Sequence, residues 1–157
     1  MNSRIQNLVT DPHVIRNPRV YKTEATQQTN GVWRVTLQGQ RWGTFARSIT
    51  VQGETKEWYT ANPCVYYLRY RKSDTASLKV YRGGTQCARG EDWLAWLVNG
   101  SGTEVNPVLE LGGPPETAWV EPLEHGCYTT TDWERLTGLV ESGQIPHPWF
   151  AGDTYPK

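Results

Sequence analysis

The strongest constraint on the fold is a run of alternating apolar and polar residues between Cys64 and Arg82. A period of two, with aromatic and β-branched residues on one side, is typical of strands with one buried face. A polar stretch around Asp74 divides the run, so we predict a β-hairpin whose apolar side chains share a face. The apolar partners across this predicted hairpin are Tyr70 with Leu78 and Leu68 with Val80.

The same register fixes the opposite face of the predicted hairpin. A slip of one residue would place Arg and Lys side chains among the apolar ones, which disfavours every other pairing. We therefore predict that cationic and phenol side chains gather on the solvent-facing side. The residues predicted to form a partner-binding face are Tyr67, Arg69, Arg71, Lys79 and Tyr81.

The rest of the first half favours further strands. Residues Gly31 to Gln38 alternate cleanly, and Gly39-Gln40 fits a two-residue turn with glycine first. The turn predicts a hairpin with a second strand from Arg41 to Val51.

The second half favours short helices. Glu91 to Val98 has acids at its start and Asn99-Gly100 after its end, which favours a helix, with a buried strand as the alternative. Thr131 and Glu134 form a capping box that opens another helix, which Gly143 ends.

Together these elements predict an α+β fold, with an antiparallel β meander of four to six strands followed by mixed structure with two short helices. The 157 residues favour a single domain, 1–157. We expect an extended N-terminal arm over about 1–18 and an irregular, proline-rich C-terminal tail over about 144–157.

Composition predicts a soluble, cytoplasmic protein without a membrane segment. Met1 to Gln28 holds no apolar run typical of a secretory signal, and Trp93 to Val98 is too short to span a bilayer. The three cysteines are an odd number without a CxxC pair, which argues against a disulfide framework.

The charge is zero overall but divided along the chain. Up to Gly83 there are 13 Lys or Arg against 5 Asp or Glu, and from Gly84 onward 3 against 11, matching the totals of 16 each. The halves can satisfy each other, or they can present a basic and an acidic face to different partners. Self-association between the two halves stays open.

Chemical motifs are few, so we expect no catalysis, no cofactor and no metal. His125 and Cys127 lie two residues apart, but the paired spacing of a zinc site is missing. Cys127 with His125 or His147 leaves one enzymatic alternative, a small Cys-dependent hydrolase or transferase.

The leading hypothesis is a non-catalytic interaction protein that binds a macromolecular partner as an adaptor, an inhibitor or an assembly subunit. Interfaces favour Tyr, Trp and Arg, and this chain has eight of each of the first two. The expected partner is an acidic protein surface or a macromolecular assembly. The alternative is single-stranded nucleic-acid binding through the basic, Tyr-rich sheet face.

Overall fold

The computed structural model describes residues 5–6, 19–46, 64–82, 84–98, 108–148 and 154–155. Within these ranges the chain is mostly β, with one helix. The strands are β1 (Ile5–Gln6), β2 (Arg19–Tyr21), β3 (Thr23–Gln27), β4 (Trp33–Leu37), β5 (Trp42–Ala46), β6 (Cys64–Lys72), β7 (Ser77–Arg82), β8 (Thr85–Arg89), β9 (Trp93–Val98), β10 (Val108–Gly112), β11 (Trp119–Thr129) and β12 (Thr154–Tyr155), and the helix is α1 (Thr130–Glu141).

Two antiparallel sheets build a sandwich. The four-stranded sheet has the order β2-β5-β10-β7, and the six-stranded sheet has the order β3-β4-β11-β6-β9-β8. The apolar faces of the two sheets meet in one continuous core, which accounts for the alternation along strands such as β4 and β7. Core residues from both sheets include Val35, Phe45, Tyr66, Leu68, Leu78, Leu94, Leu109, Leu111 and Val120.

The chain passes between the sheets at both sides of the sandwich. Lys22 alone separates β2 from β3, and Gly84 is among the residues between β7 and β8. Gly84 has a φ of 154°, and a Cβ there would lie 2.5 Å from the carbonyl oxygen of Leu97. A glycine therefore allows the close approach that this corner requires.

The predicted α+β class is wrong, because the second half adds strands to both sheets instead of separate helices. The segment expected to be the first helix is strand β9, which is the alternative that the sequence left open. Leu94 and Trp96 of β9 lie in the core between the sheets, while Ala95 and Leu97 lie in the cluster beneath α1. A strand buried on both faces has an unbroken apolar sequence, and that removes the alternation that identifies strands.

The predicted hairpin between Cys64 and Arg82 is also wrong. Both strands exist, but β6 pairs with β11 and β9, whereas β7 pairs with β10 in the other sheet. Leu78 lies opposite Leu111 in the ladder, and it meets Leu68 only within the shared core. The apolar residues of β6 and β7 therefore face each other across the core, and the two strands are not neighbours in one sheet.

The predicted strand at Gly31 to Gln38 is confirmed as β4, with Val35 and Leu37 buried. Its predicted hairpin with the next strand is wrong, because β4 pairs with β3 and β11 while β5 pairs with β2 and β10. The far end of that predicted second strand, after Ala46, lies outside the described residues.

The predicted second helix is confirmed as α1, with a shifted N-cap. Thr129, and not Thr131, accepts a hydrogen bond from the backbone N–H of Asp132 at 3.2 Å. Gly143 follows the C-cap with a φ of 78°, as a helix stop requires. Trp133 and Leu136 pack against the outer face of the six-stranded sheet.

Most of the predicted arm and the end of the tail lie outside the described residues. Of the parts that are described, β1 pairs antiparallel with β12, so a piece of the arm lies beside a piece of the tail. No helix in the described ranges combines the length and apolar character needed to cross a membrane.

Candidate functional site

The five residues of the predicted binding face do not share a surface. Tyr67, Arg69 and Arg71 lie on β6 in the six-stranded sheet, whereas Lys79 and Tyr81 lie on β7 in the four-stranded sheet. Both groups point away from the core, so they occupy opposite outer faces of the sandwich. The premise of one shared face is therefore wrong.

Tyr67 is part of a buried cluster beneath α1. Its side chain is 1% exposed, and its ring lies 5.6 Å from the ring of Trp93 and 6.4 Å from that of His147. Burial, followed by the charge of Glu124, raises the pKa of Tyr67 well above its ordinary value. The phenol is neutral at physiological pH and is enclosed by the protein itself.

Arg69 is neutralised by two carboxylates of its own chain. Its Nε lies 2.9 Å from Asp92 Oδ2, and its Nη1 lies 3.0 Å from Glu124 Oε1. The hydrogen bond to Asp92 is the main reason why the pKa of Arg69 rises further above its ordinary value. A guanidinium with both neighbours in place offers little to an incoming acidic partner.

Arg71 belongs to a network centred on Glu121, whose side chain is 1% exposed. Arg71 donates to one carboxylate oxygen, and Arg34 Nε donates to the other at 2.9 Å. Burial alone would raise the pKa of Glu121, but the hydrogen bonds and charges of both arginines outweigh it and lower the pKa. The guanidinium of Arg34 also lies 4.1 Å above the ring of Trp119.

A shallow depression of about 390 Å³ lies beside these ion pairs. It combines cations with the acids Glu91 and Asp92, and the Arg69–Asp92 pair spans its wall. Arg69 is paired with Asp92 there, and Arg71 is paired with Glu121. The lining residues are Arg69, Tyr70, Arg71, Lys72, Glu91, Asp92 and Leu123.

The outer face of the four-stranded sheet is different. The large apolar side chains that are exposed in the described part of the chain all belong to strands of this sheet: Tyr21 at 59%, Trp42 at 38% and Tyr81 at 50% on its outer face, and Val20 at 45% on the opposite side of edge strand β2. Among the described elements, none packs over this face as α1 packs over the other.

The register explains why Tyr21, Trp42 and Lys79 point outward together. Tyr21 lies opposite Thr44, Thr44 opposite Glu110, and Glu110 opposite Lys79. Lys79 Nζ lies 3.6 Å from Glu110 Oε1, and the lysine side chain is 65% exposed. Such a pair stays open to solvent and to a competing carboxylate.

The sequence-based prediction did not include Tyr21 and Trp42, although the alternation along their strands indicates which side each of them faces. Trp42 lies three residues before Phe45, so the two cannot share a strand face, and Phe45 is the buried one at 1% exposure. Tyr21 likewise follows Val20, which sits opposite Phe45. The signal in the sequence was an aromatic residue at a position of the strand that alternates with the buried positions, so that its side chain points to the outer face.

The thiol alternative of the sequence involves Cys127 with His125 or His147. Cys127 is fully buried in the core beside Cys64, and burial, followed by the neighbouring thiol, raises its pKa. His147 lies under α1 beside Tyr67, on the other side of the sheet. His125 is 3% exposed. No group of three or more potential metal ligands occurs among the described residues.

No family model matches this chain, and no curated protein matches it either.

Proposed function

We propose that this chain is a non-catalytic interaction protein that captures a macromolecular partner through the outer face of its four-stranded sheet. One observation carries the proposal: the exposed large apolar side chains of the described residues all belong to this sheet. Exposed aromatic groups gathered on one surface are characteristic of recognition sites. We call the surface formed by Tyr21, Trp42, Lys79 and Tyr81 the aromatic face.

The contrast between the two outer faces supports this assignment. The six-stranded sheet is covered partly by α1, through Trp133 and Leu136, and partly by ion pairs around Glu121. Trp133, Leu136 and the carboxylate of Glu121 are therefore already in contact with groups of this chain. The aromatic face has rings at the surface, where a partner can remove them from water. Two residues of the sequence-based prediction, Lys79 and Tyr81, remain in the proposal.

The partner that suits this face is an acidic protein surface. Rings flanked by lysines gain both from burial and from contact with carboxylates. Cytoplasmic location is part of the proposal, because none of the three cysteines forms a disulfide, as in proteins of reducing compartments.

The test is capture from host cells with tagged chain. We expect Trp42→Ala combined with Tyr81→Ala to lose the captured partner, while the melting temperature stays close to that of the wild type. Gln86→Ala on β8 and Glu134→Ala on α1 are exposed controls away from the face, and they should retain it. Unchanged capture by the double variant would count against the aromatic face.

The same experiment separates protein from nucleic acid, the alternative class of partner. Exposed rings can stack on unpaired bases, and binding through several phosphates weakens steeply with salt. A captured species that survives nuclease and moderate salt supports the protein partner. Release of the captured species by nuclease assigns the face to single strands.

A further inference from the structure

At one end of the aromatic face, a lysine is held over two rings. Lys22 Nζ lies 4.5 Å from the ring centre of Trp42 and 5.3 Å from that of Tyr21. The two rings are 6.4 Å apart and inclined by 51°, so they form a shallow seat for the ammonium group. Both rings attract the cation through their negative faces, which restricts an otherwise mobile side chain.

The ammonium group keeps donor capacity in this position. A lysine ammonium has three N–H donors, and attraction to a ring face leaves them available for oxygen. Within the described part of the chain, Lys22 Nζ contacts rings but no oxygen acceptor. Lys72 and Lys79, by comparison, reach a carbonyl oxygen and a carboxylate of this chain.

The backbone of Lys22 is itself unusual. Its φ is 58°, and among the described residues other than glycine it alone has a positive φ. Glycine adopts this conformation at little cost, whereas lysine is strained there. Strain of this kind at a single-residue corner, together with exposed rings, is characteristic of functional positions.

We propose that Tyr21, Lys22 and Trp42 form a carboxylate-binding site for an acidic segment of the partner protein. Lys22 donates N–H groups to an Asp or Glu side chain of that segment, and the two rings cover its apolar neighbours. This inference rests on the proposed function and specifies the chemistry of its partner. A protein carboxylate is favoured over a nucleic-acid phosphate because one ammonium group beside two rings suits a single carboxylate with apolar neighbours.

The test uses a synthetic peptide of alternating Glu and Leu, a matched peptide with Gln at every Glu, and oligothymidylate. Binding is followed by NMR through the indole N–H of Trp42, assigned with Trp42→Phe, and the ε-methylene signals of Lys22. We expect the Glu peptide to shift both sets of signals, and the Gln peptide to bind at least roughly tenfold more weakly. Equal or tighter binding of oligothymidylate would overturn the assignment to protein carboxylates.

Lys22→Gly is the decisive variant, because it relieves the backbone strain while removing the ammonium group. We expect it to melt at or above the wild-type temperature and to lose roughly tenfold or more in affinity for the Glu peptide. Lys22→Arg keeps the charge and should retain most of the binding. Wild-type affinity in Lys22→Gly would overturn the proposal.

The failures of the two proposals are distinguishable. If Lys22→Gly captures the cellular partner normally while Trp42→Ala combined with Tyr81→Ala does not, the aromatic face stands and the carboxylate site is wrong. If all these variants capture it normally, the proposed function fails as well.

Discussion

Arg71 and Glu121 lie opposite each other in the ladder between β6 and β11, and the ion pair they form is open to water on one side only. The carboxylate of Glu121 is 1% exposed, whereas the side chain of Arg71 is 57% exposed. Arg34, the second donor to the same carboxylate, is 35% exposed. The network therefore serves mainly to provide hydrogen-bond donors for a buried carboxylate, because the exposed arginines would be hydrated without it.

This difference in exposure predicts that removing the arginines and removing the carboxylate lower the free energy of unfolding by different amounts. Arg34→Ala combined with Arg71→Ala leaves an unpaired buried carboxylate and should lower the free energy of unfolding by about 3–5 kcal/mol. Glu121→Gln leaves arginines that can turn to solvent and should cost about 1–3 kcal/mol. Urea denaturation measures both, and Lys79→Ala, at an exposed pair, serves as a control with a loss below about 0.5 kcal/mol. Equal losses for the two changes would show that the arginines are as confined as the carboxylate.

The same network predicts a dependence on pH. The arginines hold the pKa of Glu121 below its ordinary value of 4.5. Their contribution is complete above pH 4.5 and is lost as the pH falls through the lower folded-state pKa, because the unfolded chain then takes up the proton first. The stability difference between the wild type and Glu121→Gln should therefore shrink between about pH 5 and pH 2. A difference that stays constant over this range would contradict the assignment.

Two tyrosines that the sequence predicted on one face should differ in how much they contribute to the free energy of unfolding. Tyr67→Ala empties a buried site beneath α1 and should lower the free energy of unfolding by about 3–5 kcal/mol. Tyr81→Ala removes a ring that is 50% exposed and should change it by less than about 0.5 kcal/mol. Thermal or urea unfolding of the two variants compares them directly. A strongly destabilised Tyr81→Ala would mean that its ring is part of the folding core.

The three cysteines should differ in their reactivity. Cys87 is exposed on the edge strand β8, while Cys64 and Cys127 are buried in the core. Iodoacetamide should therefore add to one cysteine in the folded chain, and mass spectrometry should detect all three only in denaturant. Cys87 is exposed, but the protein around its thiol removes part of the surrounding water, and this partial desolvation raises its pKa above the ordinary 9.0; its labelling should therefore accelerate as the pH rises toward and beyond that value. Rapid labelling of Cys127 at neutral pH would revive the thiol-enzyme alternative.

The sequence predicted strands and their buried faces better than it predicted their neighbours. The apolar parity of Leu68 and Leu78 identified both strands and both inward faces, and these are confirmed. The parity cannot tell whether two apolar faces lie side by side in one sheet or opposite each other in two sheets, since either arrangement removes them from water. The predicted hairpin chose the first arrangement, and the five-residue face followed from that choice.

Strand β9 was predicted only as the alternative to a helix, for a related reason. Its residues Leu94 and Ala95 are both buried, but against different partners, one between the sheets and one beneath α1. Only the three-dimensional layering reveals that second buried face, because its partner, α1, lies more than thirty residues later in the sequence. Helix α1 depends on local signals, namely a threonine cap and the stop at Gly143, and it was predicted with its N-cap two residues late, at Thr131 instead of Thr129.

The corner at Lys22 has a consequence for which changes the chain can tolerate. Tyr21 points outward from one sheet and Thr23 points into the core from the other, with a single residue between them. Adding or deleting one residue there would exchange the inward and outward sides of all that follows in β3. The length of this corner is therefore set by the strand registers on both sides of it.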